Sequence, residues 1–203
     1  MSLRRTALPL AFAATLAGCF SLGDKPELVV YAPQVSIVPD EGWLPLDRTL
    51  AIATPDASTL LDSNRIAVRP EPATLQVYSG AIWADSAPDL VQSALVGSFA
   101  ESGRFRAVVR PTDGLGADLA LRLDLRHFEA VYADDEKTPT VVVELQATLV
   151  DQRAHRVIGS RRFRAEQAAE REKLPAVVPA FEAALREVAT ALLPWVLETA
   201  KDP

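Results

Sequence analysis

The sequence predicts an α+β fold: a mixed, largely antiparallel sheet with two main helices packed on one face. Three observations carry this reading. Leu119, Leu121, Leu123 and Leu125 alternate with Ala120, Arg122, Asp124 and Arg126 in strict period two. Val141, Val143, Leu145, Ala147 and Leu149 repeat that alternation, with Glu144, Gln146 and Thr148 opposite. Val177, Val178, Phe181, Leu185, Val188, Leu192 and Val196 then recur at helical spacing. A sheet with one wet face and one apolar face needs a cover, and an amphipathic helix supplies it.

The chain opens on a lipoprotein signal peptide, residues 1–18. Arg4 and Arg5 form a positive start, residues 7–16 are apolar but too short to span a bilayer, and Leu16-Ala17-Gly18-Cys19 is a lipobox. Small residues before the only cysteine let the extended backbone enter a peptidase. The Cys19 thiol is then the nucleophile that takes diacylglycerol, followed by an N-acyl lipid such as palmitate. Two or three acyl chains, each methylene worth roughly 0.8 kcal/mol when buried, make such an anchor effectively permanent. Phe20 stands where an Asp would retain a lipoprotein in the inner membrane under enterobacterial-type sorting. The expected location is therefore the outer membrane, facing the periplasm. Residues 19–27 read as a lipidated tether, able to lift the domain by on the order of 20 Å if extended. The domain proper is residues 28–203.

Within that domain, residues 28–33 read as an edge strand or extended arm, because Pro33 and Pro39 cannot donate to a central ladder. Residues 49–54, 65–69 and 74–78 alternate as short strands, with Pro70 and Pro72 between the last two. Ser86-Ala87-Pro88-Asp89 has the layout of a capped helix start, and Gly103 ends that helix. Its apolar stripe is Leu90, Val91, Ala94, Leu95 and Phe99. Residues 105–109 follow as a strand, then a meander of three longer ones. The phase slips near His127 and Phe128, as a bulge would make it do. In the final helix, Pro179 should confine regular hydrogen bonding to later residues, and Pro194 should kink or end the helix near Thr190. The order is three strands, a helix, four strands and a helix.

Composition narrows the function classes. Removing residues 1–18 takes two of the 21 basic residues and none of the 27 acidic ones, leaving a formal charge of −8. Nucleic acid and anionic membrane surfaces are poor partners for such a chain. With Cys19 acylated no thiol remains, so the fold rests on its core and not on disulfides. His127 and His155, the only histidines, have no motif serine or spaced metal ligand beside them. Asp134, Asp135 and Glu136 read as a solvated hairpin loop, not a cation site. No catalytic residue, metal ligand or cofactor site is assigned, and the chain is read as a non-enzyme.

Two segments invite other readings. Arg161-Arg162-Phe163-Arg164 reads as a strand with Phe163 inward and Arg162 and Arg164 outward, the alternative being contact with lipid phosphates. The junction Tyr78-Ser79-Gly80-Ala81-Ile82-Trp83 is rich in residues that pair large apolar area with a polar tip. Tyr78 and Trp83 are the candidate partner-binding residues, with a structural anchor between sheet and helix as the alternative.

Several runs in order resemble a known family. They are Leu61-Asp62-Ser63-Asn64-Arg65-Ile66-Ala67-Val68-Arg69, then Leu75 and Tyr78, then Trp83-Ala84-Asp85 with Pro88, Leu90 and Val91. The lipobox, the Tyr31 segment, Gly103-Arg104-Phe105 and Arg161-Arg162-Phe163 before a long helix complete the set. This pattern resembles the ABC-type transport auxiliary lipoproteins. The resemblance implies an outer-membrane lipoprotein of a paraquat-inducible-type system, working with an MCE-type periplasmic protein that carries lipid or another hydrophobic solute. It implies a docking role without catalysis, driven by an inner-membrane ATPase, and a homo-oligomeric ring is compatible with it. Arg69-Pro70-Glu71-Pro72 departs from the pattern and would shorten the neighbouring strands. A periplasmic lipid-binding or outer-membrane assembly chaperone lipoprotein, holding an acyl chain between sheet and helices, is the alternative.

Overall fold

The computed structural model describes residues 28–133 and 137–201. The strands are β1 (Val29–Tyr31), β2 (Leu46–Ile52), β3 (Asp56–Ala57), β4 (Arg65–Glu71), β5 (Thr74–Trp83), β6 (Phe105–Val109), β7 (Leu119–Val131), β8 (Thr140–Asp151) and β9 (Arg156–Ala168). The helices are α1 (Ala87–Glu101), between β5 and β6, and α2 (Leu174–Thr199), after β9. The fold is α+β, with one mixed sheet of nine strands. Cys19, the tether and the acidic run Asp134-Asp135-Glu136 lie outside the described residues.

β7 organises the sheet. Along one side it pairs in parallel with β2, β3 and β4 in succession, at Leu50↔Leu119, Asp56↔Asp124 and Ala67↔Glu129. Along the other side it pairs antiparallel with β8, and β8 with β9, over nearly their whole lengths. The bulge falls between Leu125 and His127, where the alternation slips. It keeps Leu119, Leu121, Leu123 and Leu125 on the same face as Phe128 and Ala130, all buried. That shared face is the one the helices cover.

Two strands run further than the prolines suggest. β4 includes Pro70 and ends at Glu71, while β5 begins at Thr74 and continues through Trp83, so the strands on either side of the prolines are not shortened. Pro70 is tolerated because β4–β5 pairing is irregular past Val68. The segment containing Gly80 is a wide irregularity inside β5: Ala67 faces Val77 while Arg65 faces Ile82. Gly80 sits there at φ +72°, a conformation that favours glycine.

In α1, the Ser86 side chain caps the Asp89 N–H at 3.3 Å, and Pro88 occupies the first turn. The buried face is Val91, Leu95, Val96 and Phe99, with Leu90 and Ala94 only half-buried. α2 is one uninterrupted helix through both Pro179 and Pro194, contrary to the expected interruptions. Pro194 removes the bond to the Thr190 carbonyl, but Thr190 and Ala191 lie on the exposed side, where water can satisfy it. Buried Leu192, Leu193, Val196 and Leu197 hold the helix against the sheet on both sides of that point. Tertiary packing outweighs the local penalty.

Candidate functional site: the aromatic junction and the open sheet face

The last residue of β5 points into the core. Trp83 is 0% exposed. Its ring meets Phe128 at 5.8 Å and Phe181 edge-on at 5.1 Å, and Phe128 and Phe181 meet at 5.0 Å. Its backbone N–H donates to Asn64 O at 2.7 Å. This three-ring cluster joins β5, β7 and α2, so Trp83 is a structural anchor and the expectation of an exposed docking side chain is corrected. Apolar area at the end of a strand that leads straight into a capped helix is drawn into the layer between them. Tyr78 is half-buried against the same core. Burial first, and the Tyr132 hydroxyl second, push its phenol above the ordinary range, so it stays protonated.

The charged groups gather on the opposite face of the sheet. Register places Ala67, Glu129, Val142 and Glu166 in one cross-strand row, and His127, Glu144 and Arg164 in the next. A surface groove of about 380 Å³ runs over His127, Glu129, Val142, Arg164 and Glu166 of these rows, with Arg69, Val131, Ala133 and Thr140 completing its walls. The Glu129 side chain is only 2% exposed. Arg69 donates to both its oxygens, at 2.9 and 3.2 Å, and His127 Nδ1 lies 2.9 Å away. Glu144, 7% exposed at its side chain, accepts from Arg164 Nη1 at 3.0 Å. Arg164 also donates through Nε and Nη2 to Glu166 Oε1, at 2.9 and 2.7 Å.

These bonds decide what the groove can do. Arg69 spends its remaining Nη1 on Pro72 O at 3.1 Å, and all three nitrogens of Arg164 have carboxylate partners. Buried carboxylates of this kind are stabilised only when so surrounded. The cluster fixes strand register and leaves few donors for an incoming anion. The sequence did not single out Glu129 or Glu144; acidic residues at wet-face positions inside otherwise apolar strands are the signal that marks them.

A second ionic cluster ties β2 to the β8–β9 turn. Asp118 accepts from Thr49 N at 2.8 Å and pairs with Arg153 at 2.6 Å, while Arg48 reaches Asp151 at 2.7 Å. The backbone N–H groups of Ala154 and Arg153, with Arg48, hold the Asp151 carboxyl down at about 2. His155 sits in that turn at φ +50°. Phe163 is buried and edge-on to Trp195 at 5.5 Å, with Arg162 and Arg164 on the other face. Among the described residues no group of three His, Cys, Asp or Glu is placed to hold a metal ion, and no helix is long and apolar enough to cross a membrane.

The sequence matches the model of the ABC-type transport auxiliary lipoprotein component over residues 32–192. The chain belongs to that family. The matched span runs from the arm after β1 to the second half of α2, and so contains both the aromatic cluster and the open-face charges. A crystal structure of a protein from Xanthomonas campestris is 38% identical and superposes with a TM-score of 0.80, covering 85% of this chain and 97% of that one. A second solved structure, of an uncharacterised protein, shares the fold at TM-score 0.62 and 15% identity over 80% of this chain and 99% of the other. An uncharacterised protein from Bradyrhizobium diazoefficiens is 32% identical over 152 residues, which is 75% of this chain. The alignment spans only 40% of that relative's own length.

Proposed function

We propose that this auxiliary lipoprotein is anchored through acylated Cys19 in the outer membrane, faces the periplasm, and serves as a non-enzymatic docking component for an MCE-type periplasmic protein of an ABC-driven lipid or hydrophobic-solute transporter. The family match over residues 32–192 carries the reading. The lipobox at residues 16–19 and Phe20 support the anchor and its location. The open-face charges support a role without catalysis, because Arg69, Glu129, Glu144 and Arg164 are engaged with one another. An anchored domain raises the local concentration of its surface at the membrane, so a modest interface suffices for capture.

The alternative of an acyl chain held between sheet and helices meets a filled layer. Trp83, Phe128, Phe181, Leu121, Leu145 and Leu185 occupy it, each at 2% exposure or less. The docking reading is tested by crosslinking the full lipidated chain in living cells, purifying it from membranes and identifying captured proteins by mass spectrometry. Enrichment of an MCE-type protein, lost in Cys19→Ala, is the expected result. Stoichiometric phospholipid with no such protein would overturn the reading in favour of lipid binding.

A further inference from the structure

The sheet ends on one long open edge. Among the described residues β9 pairs only with β8, so the other side of its 13 residues carries no strand. About half the residues of such an edge direct their N–H and C=O groups outward. Natural edges are usually short, or blunted by charged side chains, Pro, a bulge or a covering element. β9 is long and free of Pro, and its one bulge lies near its start, opposite Leu149 and Val150, so the rest of the edge is protected by charge alone. The other terminal strands of the sheet, β1 and β6, have three and five residues, and Arg106 of β6 is held by Asp47.

Charge singles out what would fit there. In a chain of net charge −6, β9 carries four arginines and one glutamate. Arg164 is consumed by Glu144 and Glu166, but among the described residues the others keep unused donors. Arg162 is 64% exposed with its nearest carboxylate 4.0 Å away, Arg161 lies over the Phe163 ring at 5.2 Å, and Arg156 is exposed. Val157, beside Arg156, is 60% exposed. Full antiparallel overlap of β9 with β9 of a second copy would set Arg162 against its own copy, which opposes self-addition in that register.

We propose that the outer edge of β9 is a strand-addition site for an extended acidic segment of a partner protein, with ladder hydrogen bonds supplying affinity and Arg156, Arg161 and Arg162 selecting carboxylates. The proposal rests on the docking reading for the source of that segment, the periplasmic partner. The edge itself is tested without any transporter component. Arg161 and Arg162 lie on opposite faces of the strand, so the probe is a fluorescent peptide of Glu-Glu and Val-Val steps in turn, about ten residues long, titrated into the full lipidated chain in detergent and followed by anisotropy. Saturable binding is expected, weakened about tenfold by the R161E/R162E double variant and abolished by N-methylating alternate residues along each edge of the peptide. Unchanged melting of R161E/R162E establishes that the loss is local. No binding, equal binding of a Lys-Val peptide, or equal binding of the N-methylated forms would each overturn the proposal and assign the arginines to guarding the edge. None of these results bears on in-cell capture of an MCE-type protein, so the two readings fail separately.

Discussion

Gly159 of β9 lies directly against Thr199 of α2: a Cβ added at 159 would stand 2.6 Å from Thr199 Cγ2 and 3.0 Å from Trp195 Cζ2. The missing side chain lets the last turn of α2 close on the sheet beside the Phe163–Trp195 pair. Gly159→Ala forces one of them to move. The expected cost is about 1–3 kcal/mol, read as a lower urea midpoint with an unchanged slope.

Trp83 binds three elements together through Phe128 and Phe181. Trp83→Ala is expected to cost about 3–5 kcal/mol, and Trp83→Phe clearly less. Any loss of partner capture in Trp83→Ala should follow the loss of melting temperature. Capture that falls while the melting temperature holds would return Trp83 to the surface.

Glu129 is a buried carboxylate whose charge is balanced by Arg69. Glu129→Ala is expected to cost about 3 kcal/mol by leaving that guanidinium without its partner, and the double change to Ala at 69 and 129 to cost less than the two single costs added together. Thermal denaturation of the four proteins in the cycle measures the coupling. Strict additivity would mean that the pair does not act as one unit.

Asp151 sets a pH window. Its carboxyl is held at about 2, below the ordinary 3.8, first by the Ala154 N–H and then by Arg48. A depressed folded-state value contributes stability that is fully present above about pH 4 and is lost as pH falls through the folded value near 2. Asp118 and Asp47 are shifted in the same direction. The melting temperature should drop across this interval, and Asp151→Asn should flatten part of the drop. An unchanged acid slope in Asp151→Asn would assign the acid sensitivity to the other carboxylates.

Much of the architecture was legible because it rests on short-range rules. Ser86 caps α1 where the sequence places a cap, the β7–β8–β9 meander follows the alternation, and the bulge falls where the phase slips. The parallel pairings of β2, β3 and β4 along β7 were not legible. They join segments many residues apart, and a strand's side-chain alternation is the same whichever direction its neighbour runs. The continuity of α2 through Pro179 and Pro194 was hidden for a related reason: the local penalty is visible in the sequence, while the core contacts that outweigh it are not.

The sequence by itself determined the α+β class, the strand and helix phases, the lipobox and the family, because each depends on residue type at fixed spacing. Only the tertiary structure decided that Trp83 is an anchor, that Glu129 and Glu144 are matched to Arg69 and Arg164, and that β9, among the described residues, is left as a long free edge. Burial, ion pairing and edge exposure are properties of which distant segments lie side by side. That arrangement is set by how the whole chain covers its apolar face, and not by any one stretch of it.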